Sequence, residues 1–233
     1  HVGASVMMTF GDYDLDGLLD AYLVTHRLSV GTEHRLMRNL QDGLSRSVLR
    51  LGPNRQLTID PRYEELFGVT DKGGGRAEVF IAGQADHLFH NLGRGVFTNV
   101  TAGAGIQGHD IGLAATWWDY NLDGRPDLYV SNDYKGPYSL YRYQGDGTFT
   151  EVARDTLPHV PWSSMGADAA DINNDGRVDF LATEMAGSTH RRRMVVLDDP
   201  RERWFLETAN PRQYARNALY LATGVERLME VAF

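Results

Sequence analysis

The chain contains no cysteine. Disulfide frameworks, zinc–thiolate centres and cysteine nucleophiles are excluded, although the absence does not fix the redox compartment. Basic residues are in the minority, with Lys+Arg 23 against Asp+Glu 31, and no basic patch supports a nucleic-acid role. Apolar runs are short. None approaches the roughly 20 residues that a membrane-crossing helix needs, so no direct membrane span is expected. Neither G-x-S-x-G nor H-E-x-x-H occurs, which removes two common hydrolase signatures. What remains is a chain of 233 residues, 42% hydrophobic and 10% aromatic, with 25 glycines and 11 tyrosines. That is enough apolar material for a sizeable core, in a composition that favours strands and turns.

The acidity is concentrated rather than spread. "DYDLDGLLD" carries Asp12, Asp14, Asp16 and Asp20; "DYNLDGRPD" carries Asp119, Asn121, Asp123 and Asp127; "DINNDGRVD" carries Asp171, Asn173, Asp175 and Asp179. Each reads D-x-[D/N]-x-D-G-x-x-D. Oxygen ligands on alternate residues, followed by a glycine that lets the backbone turn, are how a short loop wraps a hard cation, and calcium accepts six to eight such oxygens in irregular geometry. Position seven adds a backbone carbonyl from Leu18, Arg125 or Arg177. About three Ca²⁺ ions are therefore expected, one per loop, and they would bring the formal charge from −8 to −2. These are not EF-hand loops. Position twelve is Leu23, Val130 or Ala182 in place of the bidentate glutamate. The ninth-position aspartate instead opens "DAYLV", "DLYV" or "DFLA", segments suited to buried strands.

A second motif accompanies each loop: "HLFHNLGRGVFTNV", "SLYRYQGDGTFTEV" and "ALYLATGVERLMEV", each read as strand, tight turn and strand. Leu88 to Asp119 and Leu140 to Asp171 are both 31 residues, and Asp119 to Asp171 and Leu88 to Leu140 are both 52. A constant register over two motifs means one repeated supersecondary unit, and units of about 50 residues with about four short strands mark propeller blades. The fold class expected is all-β, a β-propeller with three to four blades visible. The 233 residues are read as one propeller segment: unit 1 over about 1–108 with an insertion over 27–80, unit 2 over about 109–160, and unit 3 over about 161–233 with an insertion over 187–214. In this register the next loop would fall beyond Phe233, so the segment is expected to belong to a larger propeller. The insertions read as helical. Leu36, Leu40, Leu44 and Val48 are four apart, Asp60-Pro61 is a helix start, and Asp199-Pro200 repeats it.

On these motifs the chain resembles FG-GAP/VCBS repeats, as in integrin-α-type propellers, and more nearly the ASPIC/UnbV group. The carrying stretches are "GLAATWWDYNLDGRPDLYVSNDY", "LYRYQGDGTFTEV", "PWSSMGADAADINNDGRVDFLATEM" and "RWFLETANPRQYARNALYL". The resemblance implies a secreted, periplasmic or cell-surface propeller with calcium in its loops, serving as a binding or adhesion module. The last hairpin departs from the pattern, with Val225-Glu226 where the others have Gly-x-Gly. No metal-dependent adhesion domain accompanies the repeats.

Other motifs are weaker. "GAGIQG" (Gly103, Gly105, Gly108) matches a dinucleotide fingerprint but leads into a strand rather than a helix. Asn99 and Thr101 form a glycosylation sequon. His87 and His90 are three apart on a strand, where side chains alternate, so they are not expected to share a metal. "HRRR" (190–193) reads as a solvated loop. Trp117, Trp118 and Trp162 read as core rather than as a sugar platform. A carboxylate pair for glycoside hydrolysis would have to come from loops whose aspartates the metal occupies, so no catalytic residue is assigned. The expected function is a calcium-stabilised extracytoplasmic module that binds protein or carbohydrate. The insertions are possible contacts to subunits of a larger assembly. The alternatives are a propeller-fold polysaccharide lyase or hydrolase, and a structural subunit of a larger complex.

Overall fold

Short apolar runs separated by glycine-rich and aspartate-rich turns fold here as antiparallel meanders. The computed structural model describes residues 4–26, 48–52, 57–63, 67–73, 76–106, 110–133, 138–185 and 212–231. In chain order the strands are β1 (Ser5–Gly11), β2 (Asp20–Thr25), β3 (Leu49–Leu51), β4 (Leu57–Ile59), β5 (Phe67–Gly73), β6 (Arg76–Ile81), β7 (His87–Asn91), β8 (Phe97–Asn99) and β9 (Ile111–Trp118). They continue with β10 (Asp127–Asp133), β11 (Ser139–Tyr143), β12 (Phe149–Glu151), β13 (His159–Pro161), β14 (Ser164–Ala170), β15 (Asp179–Glu184), β16 (Arg212–Tyr214), β17 (Ala218–Gly224) and β18 (Arg227–Glu230). Three four-stranded sheets result, in the orders β1-β2-β7-β8, β9-β10-β11-β12 and β14-β15-β17-β18. Each aspartate loop joins the first strand of a sheet to its second. The third hairpin turns tightly between Gly224 and Arg227, with Glu226 at φ 53°.

The sheets lie in a row, β1 against β9 and β9 against β14. Two apolar cores fill the gaps. The first joins Tyr22, Val24 and Leu88 to Leu128, Val130 and Tyr141; the second joins Tyr129 and Leu140 to Phe180, Ala182 and Tyr220. Alternation along β10 sends Leu128 and Val130 one way and Tyr129 the other, so this strand is buried on both faces and reads as an unbroken apolar run. Trp118 stacks on Phe180, with ring centroids 4.6 Å apart and planes at 6°, and donates from Nε1 to the Val178 carbonyl at 3.2 Å. Trp118 and Trp162 are buried and Trp117 packs against the first core, so all three tryptophans serve packing.

The equivalent positions keep their direction from sheet to sheet. Leu88 and Leu140 each face the sheet that follows, whereas Tyr141 and Tyr220 face the one before. By the same alternation, Met8, Phe10 and Phe89 lie on the face of the first sheet turned away from the second, with Met8 and Phe10 exposed. Leu181, Leu219, Leu221 and Met229 lie on the face of the third turned away from the second, where Leu219 is buried and Met229 exposed.

The described parts of the first insertion depart from the helical expectation. Described parts of the first insertion are two hairpins, β3–β4 and β5–β6. Val48, which ended the four-residue leucine spacing, packs with Ile59 and Phe67 in a small separate core instead of closing a helical stripe. The start signal at Asp60 is real but short. Asp60 Oδ1 accepts from the Arg62 amide at 3.0 Å, and Pro61–Tyr63 make a single 3₁₀ turn. Leu36, Leu40, Leu44, the Asp199-Pro200 start and "HRRR" lie outside the described residues. Among the described residues, no helix is long and apolar enough to cross a membrane.

Candidate metal-binding loops

The three loops share one backbone conformation. Position four is left-handed in each (Leu15 φ 63°, Leu122 φ 61°, Asn174 φ 58°), and so is the glycine at position six (Gly17 φ 88°, Gly124 φ 83°, Gly176 φ 84°). A Cβ on any of these glycines would meet nothing within 4 Å, so glycine is required for its dihedral and not for space.

This winding directs backbone N–H groups at the carboxylates. The first aspartate accepts twice, from the amides of positions five and six: Asp12 from Asp16 and Gly17 at 3.0 Å each, Asp119 from Asp123 (3.1 Å) and Gly124 (2.9 Å), and Asp171 from Asp175 (3.1 Å) and Gly176 (2.9 Å). Position three (Asp14, Asn121, Asn173) accepts from the position-five amide at 3.0–3.3 Å. Position five (Asp16, Asp123, Asp175) accepts from the amide of Leu18, Arg125 or Arg177 at 2.8–2.9 Å. Each carboxylate is thereby oriented while retaining lone pairs.

The ninth-position aspartates Asp20, Asp127 and Asp179 are fully buried. Each accepts from the amide of the neighbouring hairpin strand, Asn91 (2.8 Å), Tyr143 (2.8 Å) or Ala222 (2.9 Å). The other oxygen of Asp20 and Asp179 takes the position-two amide, Tyr13 at 3.4 Å and Ile172 at 3.0 Å. In the second loop the Tyr120 amide approaches but closes no bond of good geometry, and Asp127 Oδ2 is left buried without a donor. Burial, reinforced by the charges of Asp123 and Asp119, pushes the Asp127 carboxyl up to about 7. Burial likewise raises Asp20.

The donor set fits a hard cation. A buried carboxylate oxygen without a hydrogen-bond donor, beside two further carboxylates, is what a bound divalent ion would neutralise. In the first loop, ligand atoms of Asp12, Asp14 and Asp20 lie within 4.8 Å of one another, and so do those of Asp14, Asp16 and His90. His90 has no place in the loop motif. Its only sequence signal is its position one residue before Asn91, whose amide holds Asp20.

Asn99 Oδ1 accepts from the Thr101 hydroxyl at 2.7 Å within a local turn, and β9 follows the glycine-rich segment where a dinucleotide site would need a helix. Sequence reading also missed a partly buried carboxylate pair. Asp86 and Asp110 lie between the first two sheets, both raised by burial, to about 6 and about 7.

Comparison with known proteins supports the repeat. A family model for the FG-GAP-like repeat matches residues 119–182, from the first aspartate of the second loop to the strand after the third. Cartilage acidic protein 1 of Xenopus tropicalis is 31% identical over 125 residues, covering 47% of this chain and 19% of that protein. The Homo sapiens protein of that name is 28% identical over 167 residues (58% and 25%), and that of Mus musculus 31% over 103 (42% and 16%). The chain spans a quarter or less of the length of these relatives. Residues 119–182 are thus an FG-GAP-like repeat, in a chain similar to cartilage acidic protein 1.

Proposed function

We propose that the three sheets are blades of a calcium-stabilised β-propeller, and that the chain works outside the cytoplasm as a non-catalytic module for binding a protein or glycan. The observation that carries the calcium part is the recurrence of one loop conformation, with the same amide-to-carboxylate pattern, at the same strand connection of three sheets. The orphaned Asp127 oxygen supports it. Asp12, Asp14, Asp16 and Asp20, with the Leu18 carbonyl, would hold the first ion. Asp119, Asn121, Asp123 and Asp127, with the Arg125 carbonyl, would hold the second. Asp171, Asn173, Asp175 and Asp179, with the Arg177 carbonyl, would hold the third. The ion supplies charge neutralisation and cross-links loop to strand.

The propeller reading is supported by the side-by-side row of meanders and by the exposed Met8, Phe10 and Met229 on the outward faces of the first and third sheets, which further blades of the same kind would cover. Similarity to cartilage acidic protein 1 supports an extracellular setting and a binding role. Extracellular calcium modules bind with Kd of roughly 10⁻⁴–10⁻³ M. At about 1 mM free calcium and a Kd of about 0.1 mM, each site contributes roughly 1.4 kcal/mol.

The test is a thermal melt in EGTA against excess calcium, with magnesium as control. Calcium should raise Tm by several degrees and magnesium should do so poorly. Superimposable curves, in protein shown to be metal-free after chelation, would end the calcium reading. A glycan array and cross-linking to extracellular proteins then address the partner.

A further inference from the structure

The three loops differ in charge. Position seven is arginine in the second and third, and its guanidinium turns back on position five: Arg177 Nη2 is 2.7 Å from Asp175 Oδ2, and Arg125 Nη1 is 4.0 Å from Asp123 Oδ2. Asn121 and Asn173 donate to those same oxygens at 3.1 and 3.0 Å. The first loop has Leu18 and Asp14 at these positions. Its formal charge is therefore −4, against −2 for each of the others.

They differ also in what the hairpin strand sets beside them. Two residues beyond the equivalent Leu88, Leu140 and Leu219 stand His90, Arg142 and Leu221. Arg142 pairs with Glu226 at 3.3 Å, and leucine offers no donor. His90 Nδ1 instead lies 3.1 Å from Asp20 Oδ1 and 3.4 Å from Asp14 Oδ2. The Tyr13 ring meets the imidazole edge-on, at 6.2 Å and 67°, and fixes its plane. Ligands about 2.1 Å from one octahedral ion stand about 3 Å apart when adjacent and about 4.2 Å when opposed. A nitrogen and two carboxylate oxygens within 4.8 Å of one another match that spacing. Imidazole is a ligand of first-row transition ions, whereas calcium takes oxygen.

We propose that the first loop and His90 form a distinct metal site for a divalent first-row transition ion, held by the imidazole nitrogen and by carboxylate oxygens of Asp14 and Asp16, while the second and third loops take calcium. This rests on reading the loops as cation sites. The electron-rich first loop offers four carboxylates and no competing guanidinium, so its affinity exceeds that of the others for any divalent ion. His90 adds the selectivity.

The experiment titrates the metal-free chain with Co²⁺, followed by visible absorption and calorimetry, in parallel with Ca²⁺. One Co²⁺ per chain should bind more tightly than the rest, and His90→Gln should weaken that site at least about tenfold without changing calcium binding at the other two loops. A measurement on the unaltered protein guards against a misfolded variant: substoichiometric Mn²⁺ should broaden the ring-proton resonances of His90 first and most strongly among the eight histidines. Equal Co²⁺ affinity in the properly folded variant, or Mn²⁺ broadening that spares His90, overturns the proposal. Three calcium ions bound with no His90-dependent cobalt site would sink this proposal and leave the calcium reading intact. A His90-dependent cobalt site with no calcium bound would end the calcium reading and leave only the first-loop site standing.

Discussion

The Tyr143 amide donates to Asp127 Oδ1 across 2.8 Å, and this bond ties the second loop to the hairpin strand beside it. Asparagine at position 127 would keep an acceptor for that amide while removing a charge that burial disfavours. In EGTA, Asp127→Asn should therefore melt at or above the parent protein. In excess calcium the order should reverse, because the variant gives up a charged ligand. Differences of about 1–2 kcal/mol correspond to roughly 2–8 °C at this size. A variant that melts lower in EGTA as well would show that Asp127 does not carry a charge penalty.

The Asp86–Asp110 pair sets a pH dependence. Thr25 N–H donates to Asp86 Oδ1 at 2.6 Å and the Tyr22 hydroxyl to Oδ2 at 2.8 Å, yet burial still raises Asp86 to about 6. Burial and then the Asp86 charge raise Asp110 to about 7. Both folded-state values lie above those of the unfolded chain, so between about pH 4 and 7 the folded protein holds more protons. Stability then falls as pH rises through that window, by an amount on the order of 3 kcal/mol per group. Urea midpoints in EGTA should be higher at pH 5 than at pH 7.5. Asp110→Asn should flatten the difference, and a midpoint that rises with pH would contradict the assignment.

Phe180 joins the second and third sheets. It is fully buried, stacked on Trp118 and edge-on to Tyr129 at 4.4 Å. Phe180→Ala should cost about 3–5 kcal/mol through lost contacts and a residual cavity, and Phe180→Leu distinctly less. Urea unfolding with an unchanged slope would measure both, and a cost below about 1 kcal/mol for alanine would mean that the stack is not an interface core.

Two glycines separate two kinds of cost. A Cβ at Gly83 would stand 1.6 Å from the Asp110 carbonyl oxygen, where the segment before β7 meets the start of β9. At Gly17 it would meet nothing, and only the φ of +88° stands against a side chain. Gly83→Ala and Gly83→Asn should both destabilise by about 3 kcal/mol or more. Gly17→Ala should cost about 1–2 kcal/mol and Gly17→Asn less, since asparagine tolerates left-handed backbone. Equal costs for alanine and asparagine at position 17 would argue against the conformational explanation.

Local features were legible in the sequence and distant ones were not. The aspartate loops could be read because the winding, the glycine and the amide partners of positions one, three and five all fall within nine residues, and the first two hairpins because their turns carry Gly-x-Gly. Val48 misled. Its four-residue spacing from Leu44 suggests a helix, but its partners Ile59 and Phe67 arrive from separate hairpins. His90 could not be assigned from its own strand. Alternation separates it from His87, and its carboxylate partners include Asp20, 70 residues away in the chain. Asp86 and Asp110 look like ordinary loop acids until the first and second sheets close over them.

Each sheet turns one set of side chains toward its successor and a different set toward its predecessor, which gives the row a direction. Two copies meeting through a two-fold axis would place the Leu221 and Met229 side against itself, or the Met8 and Phe10 side against itself. The native joints between the first and second sheets, and between the second and third, match unlike faces instead. Association that copies those joints is heterologous: it becomes a ring if the rotation per step closes, and a filament if it does not. Association of that kind stacks copies end to end and differs from a symmetric pair, in which like faces meet.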